Sequence, residues 1–180
     1  MFERCTTNIL RQVDELREIA SEFSIYSHIP KSERVPGDLV ATLREVVDGY
    51  VASPPPGIDV RFVPEAPAIP ARFDPRLIGR AVRNLLENAV RVSASGGEIE
   101  MRLGQDGAGG TVWVQVRDQG PGVPEEELAR IFEPYFSTQA GGTGLGLPIA
   151  LRIAEEHGGT IRARNRTSGG LEVTITIPRE

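Results

Sequence analysis

The sequence predicts an α/β two-layer sandwich, in which a mixed sheet is covered by helices on one face and preceded by a long N-terminal helix. From residue 58 onward, short stretches with the alternation typical of strands are interspersed with amphipathic helical stretches. Residues 2–27 instead carry a heptad pattern. The 180 residues are 39% apolar and 25% charged, a composition that supports a hydrophobic core and gives no bias toward disorder.

Composition and charge exclude several functional classes. The chain has no run of 18 apolar residues and its start is amphipathic, so we expect neither a secretion signal nor a membrane contact. The net charge of −5 argues against a nucleic-acid partner, which would require a basic surface. The single cysteine, Cys5, can form neither an internal disulfide nor a cysteine-based metal site, which favours a reducing compartment.

The first segment is predicted to be a helix with a heptad seam. Apolar or small residues recur at alternating spacings of four and three, at Phe2, Thr6, Ile9, Val13, Leu16, Ala20, Phe23 and Ser27. Such a helix cannot bury its stripe alone and therefore needs a partner helix. The helix is expected to end before Pro30, because the residue that precedes a proline is disfavoured in the helical region.

The next stretch predicts a helix, two strands and a second helix. Residues 36–38 open the first helix, and the proline-rich residues 53–57 end it. Residues 58–63 and 68–73 are predicted as a pair of short strands. A long helix is then predicted to follow an N-cap aspartate and a proline in its first turn: Asp74, Pro75, and onward to about Val92.

The rest of the chain predicts four strands and one further helix. The strands are residues 98–103, 111–117, 160–165 and 171–177, the last two as a hairpin. Residues 118–124 form a tight loop and residues 125–131 a short helical turn. The helix covers residues 145–157 and ends at two glycines.

Three polar residues of the long helix form the first candidate site. Asn84, Asn88 and Arg91 follow the spacing i, i+4 and i+7 and therefore share one face. Amide oxygens suit a hydrated Mg²⁺ ion and a guanidinium suits phosphate oxygens. The alternative is a set of solvated polar positions on an amphipathic helix.

Two glycine-containing loops form the second and third candidates. In residues 118–122, Asp118 directly follows a strand, where its carboxylate could accept a hydrogen bond from an amine of a flat ring. The alternative there is a simple Asp-Gly turn. Residues 141–147 run straight into a helix, and consecutive backbone N–H groups at a helix start can hold phosphate. The alternative for this loop is a flexible hinge.

A fourth segment, residues 132–137, is aromatic and precedes the second glycine loop. It is interpreted mainly as an apolar anchor for that loop, supplied by Phe132 and Phe136.

In this order and spacing, the segments resemble the catalytic, ATP-binding domain of bacterial sensor histidine kinases. This domain belongs to the wider superfamily of gyrase, Hsp90, histidine kinase and MutL ATPases. The boxes of the family correspond to residues 84–91 (N box), 118–122, 132–136 (F box), 142–146 and 169–170. The likeness covers roughly residues 36–178, and the sequence resembles nitrogen-regulation sensors of the NtrB/NtrY type.

The resemblance implies a Bergerat-type ATP-binding fold, Mg-ATP as ligand and a role for each site residue. Asn88 would be the Mg²⁺ ligand, Asn84 would help to position it, and Arg91 would contact phosphate. Asp118 would bind the adenine amine, above a pocket floor formed by two glycines. The remaining implied nucleotide contacts are Gly120, Gly122, Phe132, Gly142, Thr143, Gly144, Leu145 and Gly146. Residues 137–142 would form a short ATP lid.

Three positions depart from the family pattern. Val92 stands where an aromatic residue is often found, and Gln139 where a lysine is frequent. Glu172 stands where the last strand often carries a threonine near adenine, so no adenine contact is assigned to it.

The chain also lacks the phosphoacceptor box of a histidine kinase. Its two histidines, His28 and His157, both sit at predicted helix ends outside any such box. We therefore expect residues 1–30 to be the remnant of the second helix of the dimerisation and phosphotransfer hairpin, and residues 31–180 to be the catalytic domain. The phosphoryl group would go to a histidine that this chain does not contain, so self-phosphorylation is not expected.

Partners and alternatives follow from the same resemblance. The expected partners are the histidine-bearing helix, the receiver domain of a response regulator, and a second copy bound through residues 2–27. The expected location is cytoplasmic, including the cytoplasmic part of a membrane-anchored sensor. Two alternatives remain: an anti-sigma-type serine kinase, which shares these boxes, and a regulatory module that binds ATP without kinase activity.

Overall fold

The computed structural model describes residues 29–93, 97–107, 110–137 and 142–180, together with Thr6 and Val13. Thr6 and Val13 are helical and exposed. The other residues of the predicted seam, at 2–27, lie outside the described residues, so its length and its pairing stay predictions.

The described elements are seven strands and three α-helices, with two strands following each helix. In chain order they are β1 (Val35–Asp38), α1 (Leu39–Ala52), β2 (Ile58–Pro64), β3 (Pro70–Phe73), α2 (Pro75–Val92), β4 (Gly97–Gln105), β5 (Thr111–Arg117), α3 (Gly146–Glu156), β6 (Thr160–Asn165) and β7 (Leu171–Pro178). Two 3₁₀ turns, Glu125–Glu127 and Arg130–Phe132, lie between β5 and α3, where a short helical turn was predicted.

A mixed five-stranded sheet forms one layer of the molecule. Its strand order is β2-β4-β5-β7-β6, with a parallel β2–β4 pair and antiparallel pairs elsewhere. Burial alternates along the strands: Ile99 and Met101 of β4 are fully buried, whereas Glu100 between them is half-buried. The three helices pack on the apolar face, which confirms the predicted α/β sandwich.

The prediction that residues 36–38 open a helix is wrong. They belong to β1, which pairs antiparallel with β3, and the helix begins at Leu39. Asp38 explains the abrupt change, because its Oδ1 accepts hydrogen bonds from the backbone N–H of Val40 at 3.0 Å and of Ile69 at 2.8 Å. One carboxylate therefore caps α1 and ties it to the segment that leads into β3.

The two strands predicted as a pair lie in different sheets. β2 pairs with β4 in the large sheet, whereas β3 pairs with β1 in a small two-stranded sheet. Their bounds match the predicted ranges to within two residues. Pairing depends on residues far away in the chain, which local patterns do not reveal.

Helix α2 has the bounds that the sequence predicts, Pro75–Val92. Asp74 caps it, since its Oδ1 accepts from the N–H groups of Arg76 at 3.0 Å and Leu77 at 3.2 Å. The segment before β1 is attached to the start of α2 and to the end of α3, which lie side by side. Glu33 donates its N–H to Asp74 Oδ2, and the side chains of Ser32 and Arg34 donate to the carbonyl of Glu156 at the end of α3.

Candidate nucleotide-binding site

A cavity of about 450 Å³ opens between α2, the loop after β5 and the start of α3. Eight of the predicted site residues lie on its wall: Asn84, Asn88, Arg91, Asp118, Gly122, Thr143, Gly144 and Gly146. The cavity therefore joins residues from all four segments that the sequence analysis singled out, because Phe136 and Ser137 of the aromatic segment also line it. It is large enough for a small organic ligand, and it has both polar and apolar walls.

Helix α2 presents its polar face to the cavity. Asn84 is buried and donates from Nδ2 to the carbonyl of Gly146 at 3.0 Å, which ties α2 to the first residue of α3. Asn88, one turn later, is half-buried, and no residue that the structure describes makes a hydrogen bond with its amide. Arg91 is exposed at the end of the helix, and its guanidinium lies beside Gly142. The predicted common face of the three residues is confirmed.

Asp118 lies on the cavity wall and is buried, with only 3% of its surface exposed. Its Oδ1 accepts hydrogen bonds from the N–H groups of Gly120 at 2.8 Å and Leu171 at 3.0 Å. Burial raises the pKa of this carboxyl, although the hydrogen bonds from Leu171 and Gly120 and the charge of Arg166 counteract the shift. Within the described part of the chain no donor reaches Oδ2, so this oxygen can accept a hydrogen bond from a ligand.

The second glycine loop brings backbone close to the cavity. Gly144 has a φ of +67°, and a Cβ built there would lie 2.6 Å from the carbonyl carbon of Tyr135. The loop is held in this place because Tyr135 donates its N–H to the carbonyl of Gly144 at 3.0 Å. Only glycine fits such a close backbone approach.

Helix α3 begins at the wall of the cavity. Among the described residues no side chain caps its first turn, and Gly146 and Leu147 line the cavity. The first N–H groups of a helix lack intrahelical partners and carry positive potential. The start of α3 can therefore receive an anionic group.

Four predicted contacts do not lie on the wall. Leu145 is fully buried in the core, and Phe132 is half-buried against the core instead of the cavity. Gly120 lies behind Asp118, where a Cβ would come within 2.9 Å of Val92. Gly142 faces Ser137, whose Oγ would lie 2.8 Å from a Cβ built on Gly142. These residues shape the site from behind, since they permit the close packing of the loops that do reach the cavity.

Several wall residues were missed by sequence reasoning. They include Glu87, Pro121, Val123, Pro124, Glu127, Ile131, Leu147, Pro148 and Leu171. Glu87 could have been found, because it lies three residues after Asn84 and four before Arg91 on the same helix. Phe136, predicted only as an anchor, also lines the wall. The apolar members come from loops whose contacts are tertiary, and no local pattern marks them.

Strand β7 reaches the cavity through Leu171 and not through Glu172. Successive residues of a strand point to opposite faces, and Glu172 binds the guanidinium groups of Arg117, at 2.8 Å, and Arg164. Burial alone would raise the pKa of Glu172, but hydrogen bonds from these two arginines outweigh it and lower the pKa. The residue of β7 that reaches the cavity is therefore Leu171, which the sequence analysis did not single out.

Part of the predicted lid, residues 138–141 with Gln139, lies outside the described residues. Ser137 and Thr143, on either side of this gap, both line the cavity. Thr143 Oγ1 accepts from the N–H of Leu145 at 3.3 Å, next to the start of α3.

Comparison with known proteins identifies the family. Residues 73–180 match the family described as histidine kinase-, DNA gyrase B- and HSP90-like ATPases. The chain belongs to this ATPase family. The predicted resemblance is thus confirmed, and ATP binding follows from the family.

The relatives are sensor histidine kinases. The nitrogen regulation protein NtrY of Azorhizobium caulinodans is 34% identical over 186 residues, which cover 100% of this chain and 24% of NtrY. The sensor protein QseC of Escherichia coli K12 is 40% identical over 134 residues, which cover 73% of this chain and 28% of QseC. The chain thus spans about a quarter of the length of these curated relatives.

Solved structures agree with the sequence relatives. The catalytic domain of histidine kinase ThkA superimposes with a TM-score of 0.75 at 32% identity, covering 82% of this chain and 96% of that domain. ThkA in complex with the response regulator protein TrrA gives a TM-score of 0.83 at 27% identity, covering 100% of this chain and 52% of ThkA. This chain is therefore a catalytic, ATP-binding domain of the sensor histidine kinase type, and these relatives give no support to the serine kinase alternative.

No helix in the described ranges is both long and apolar enough to cross a lipid bilayer.

Proposed function

We propose that the chain binds Mg-ATP in the cavity and transfers the γ-phosphoryl group to a histidine on a separate helix of the kinase. One observation carries the proposal: a single cavity joins the amides and guanidinium of α2, the Asp118 carboxylate and the uncapped start of α3. The amides and guanidinium of α2 suit a metal ion and phosphate, and the Asp118 carboxylate suits an exocyclic amine. The start of α3 suits an anionic chain such as a triphosphate.

The nucleotide is proposed to lie with adenine at Asp118 and its phosphates near α3. Asp118 Oδ2 would accept a hydrogen bond from the adenine amine, while Leu171 and Val123 provide apolar walls for the ring. The triphosphate would receive hydrogen bonds from the backbone N–H groups of Thr143, Gly144, Gly146 and Leu147, whereas that of Leu145 already donates to Thr143 Oγ1. Arg91 would add a full positive charge at the same end.

The residues of the cavity fit a magnesium ion that is shared with the phosphates. Among the described residues no group of three acidic, histidine or cysteine side chains could hold a metal alone. Mg²⁺ usually keeps several waters and binds through one or two protein oxygens plus substrate phosphates. The Asn88 amide is placed for this role, with Asn84 beside it. When bound, the ion neutralises charge on the phosphate oxygens.

The chain's own residues would act by positioning and by charge stabilisation. In the transfer, the bond from the acceptor nitrogen to the γ-phosphorus forms while the bond to the bridging oxygen breaks and ADP leaves. Backbone N–H groups of the glycine loop and the Arg91 guanidinium would stabilise the charge on the transferred group.

The acceptor histidine is proposed to lie on the histidine-bearing helix of the kinase and not in the catalytic domain. His157 is 1% exposed, and its Nε2 accepts a hydrogen bond from Asp74 while Nδ1 lies 2.8 Å from the carbonyl of Ile153. Both ring nitrogens are thus engaged far from the cavity wall. His28 lies outside the described residues, and no acceptor box surrounds it.

The partners follow from this role. Residues 1–30 are proposed to belong to the helical hairpin, residues 31–180 to be the catalytic domain, and residues 2–27 to associate with a second copy through the heptad seam. The solved complex of ThkA with TrrA supports a receiver domain as the final phosphoryl acceptor in the intact kinase. The need for ATP and the single thiol support a cytoplasmic location.

A transfer assay tests the proposal. The chain is mixed with radiolabelled Mg-ATP and with a separate hairpin domain that carries the histidine box of an NtrY-type kinase. We expect label on the hairpin and none on the chain itself. The label should be lost in acid and kept in alkali, as a phosphohistidine requires, whereas phosphoserine would survive acid. Absence of ATP binding by calorimetry, or stable label on the chain, would contradict the proposal.

A further inference from the structure

Asn165, the last residue of β6, holds the loop that follows Asp118. Its Oδ1 accepts a hydrogen bond from the N–H of Val123 at 2.9 Å, and its Nδ2 donates to the carbonyl of Val123 at 2.6 Å. Nδ2 also lies 3.3 Å from Glu125 Oε1. A side-chain amide carries one acceptor and one donor group, so it can pair with both backbone groups of one residue as a neighbouring strand does.

The adjacent turn between β6 and β7 holds the other end of the same loop. Arg166 donates from Nη1 to the carbonyl of Asp118 at 2.6 Å. Leu171 donates its N–H to Asp118 Oδ1 and accepts from the Asp118 N–H. The loop 119–124 is therefore fixed at its start by residues of the turn and at its end by Asn165.

The fit between Asn165 and the loop is close. Gly122 has a φ of +75°, and a Cβ built there would lie 2.7 Å from Asn165 Oδ1. Gly122, Val123 and Pro124 all line the cavity beside Asp118. The loop has no helix or strand of its own, so the distance between this wall and the Asp118 carboxylate depends on the Asn165 amide.

We infer that Asn165 is a positioning residue that sets the preference for adenine over 6-oxo purine nucleotides. The inference rests on the proposed function, in which Asp118 Oδ2 accepts from the adenine amine. A carboxylate at this position favours a ring with an amine and disfavours a ring with a carbonyl oxygen there. The discrimination requires that the ring be held against the carboxylate, and Asn165 keeps the adjacent wall, residues 122–124, in place.

Nucleotide selectivity tests this inference in the full chain. Affinities for Mg-ATP and for Mg-ITP, which carries a 6-oxo group, are measured by competition with a fluorescent ADP analogue. In Asn165→Ala we expect ATP affinity to fall about tenfold while ITP affinity changes less than about twofold, so the ratio falls. Gln115→Ala is the matched control, because the Gln115 amide donates to Thr174 Oγ1 at 3.1 Å on the same sheet without lining the cavity. The ratio of ATP affinity to ITP affinity in Gln115→Ala should equal that of the wild type.

A second variant keeps the test decisive should Asn165→Ala fail to fold. Asn165→Asp preserves the size and the acceptor but removes the donor to Val123 and places a negative charge near Glu125. We expect the same fall in the ATP-to-ITP ratio. An unchanged ratio, or an equal loss of affinity for both nucleotides, would overturn the inference and leave the proposed function standing. A wild-type chain that binds ATP no better than ITP would instead overturn the proposed role of Asp118, and the inference with it.

Discussion

The His157 ring joins α3 to α2 through one hydrogen bond, in which Nε2 accepts from the backbone N–H of Asp74 at 3.0 Å. Nδ1 lies 2.8 Å from the carbonyl of Ile153, so the ring is neutral with its proton on Nδ1. Asp74 caps the helix that carries Asn84 and Asn88. The end of one helix is thus fastened to the beginning of the helix that forms the polar wall of the cavity.

We predict that stability falls as the solution becomes acidic because His157 must stay neutral. Burial lowers the pKa of His157 below its usual 6.5. The unfolded chain therefore binds more protons near pH 6, so the contribution of His157 is present above the usual pKa and is lost as the pH falls through the folded value. Urea unfolding at pH 7.5, 6 and 5 measures how steeply the free energy of unfolding changes with pH. His157→Gln should lower the free energy of unfolding by about 1–3 kcal/mol at pH 7.5 and flatten the slope. If His157→Gln showed the same pH dependence of the free energy of unfolding as the wild type, this prediction would be contradicted.

Asp118→Asn is predicted to separate stability from binding. The variant keeps the oxygen that accepts from Leu171 and Gly120, but it replaces Oδ2 with a donor, so ATP affinity should fall at least about a hundredfold. Because the pKa of Asp118 is raised in the folded chain, ionisation of the carboxyl lowers the free energy of unfolding at neutral pH. This loss of stability disappears below the ordinary pKa of the group, where the carboxyl is protonated in both states. The variant without nucleotide should thus unfold at a higher urea concentration than the wild type at pH 7. Calorimetry and urea unfolding measure the two effects, and normal ATP binding would contradict the role of Asp118.

Asn88→Ala and Asn84→Ala form a matched pair on one helix face. Asn88 makes no hydrogen bond with any residue in the described ranges, so its loss should change stability by less than about 0.5 kcal/mol while ATP affinity and its dependence on Mg²⁺ are lost. Asn84 donates to Gly146, so its loss should also cost about 1 kcal/mol of stability. Binding titrations with and without EDTA, combined with thermal unfolding, distinguish the two. A Mg²⁺ dependence that survives in Asn88→Ala would refute its assignment as the metal ligand.

Gly144→Ala is predicted to damage the second glycine loop. The positive φ and the contact of the added Cβ with Tyr135 backbone atoms should cost about 1–3 kcal/mol and reduce nucleotide affinity. Gly49→Ala is the control, because Gly49 lies within α1 with open space around its Cβ position. That change should raise stability by about 0.5–1 kcal/mol. Equal effects of the two substitutions on ATP binding would show that the close approach at Gly144 is unimportant.

The parts of the fold that the sequence predicts well are those with local causes. The start of α2 follows from Asp74 and Pro75, which act within one turn of each other. The start of α1 was missed because Asp38 is fixed by the N–H of Ile69, which lies 31 residues away. Likewise, the partners of β2 and β3 depend on tertiary packing.

The same division applies to the candidate site. Asn84, Asn88 and Arg91 share a face through helix geometry alone, and the structure places all three on one wall. Leu145, a predicted contact, lies in the core and not on the wall; glycine spacing alone does not reveal which residue of the loop turns inward. Strand register decides between Leu171 and Glu172, and that register is set only when β7 pairs with β5.

The attachment of residues 32–34 has a mechanical consequence. Glu33 is bonded to the N-cap of α2, and Ser32 and Arg34 to the last carbonyl of α3. A torque applied to the chain ahead of residue 32 would be delivered to both helices at once, at the ends remote from the ligand. The residues of α2 and α3 that line the cavity lie at the other ends of these helices, so a rotation upstream would reach the nucleotide site through both helices.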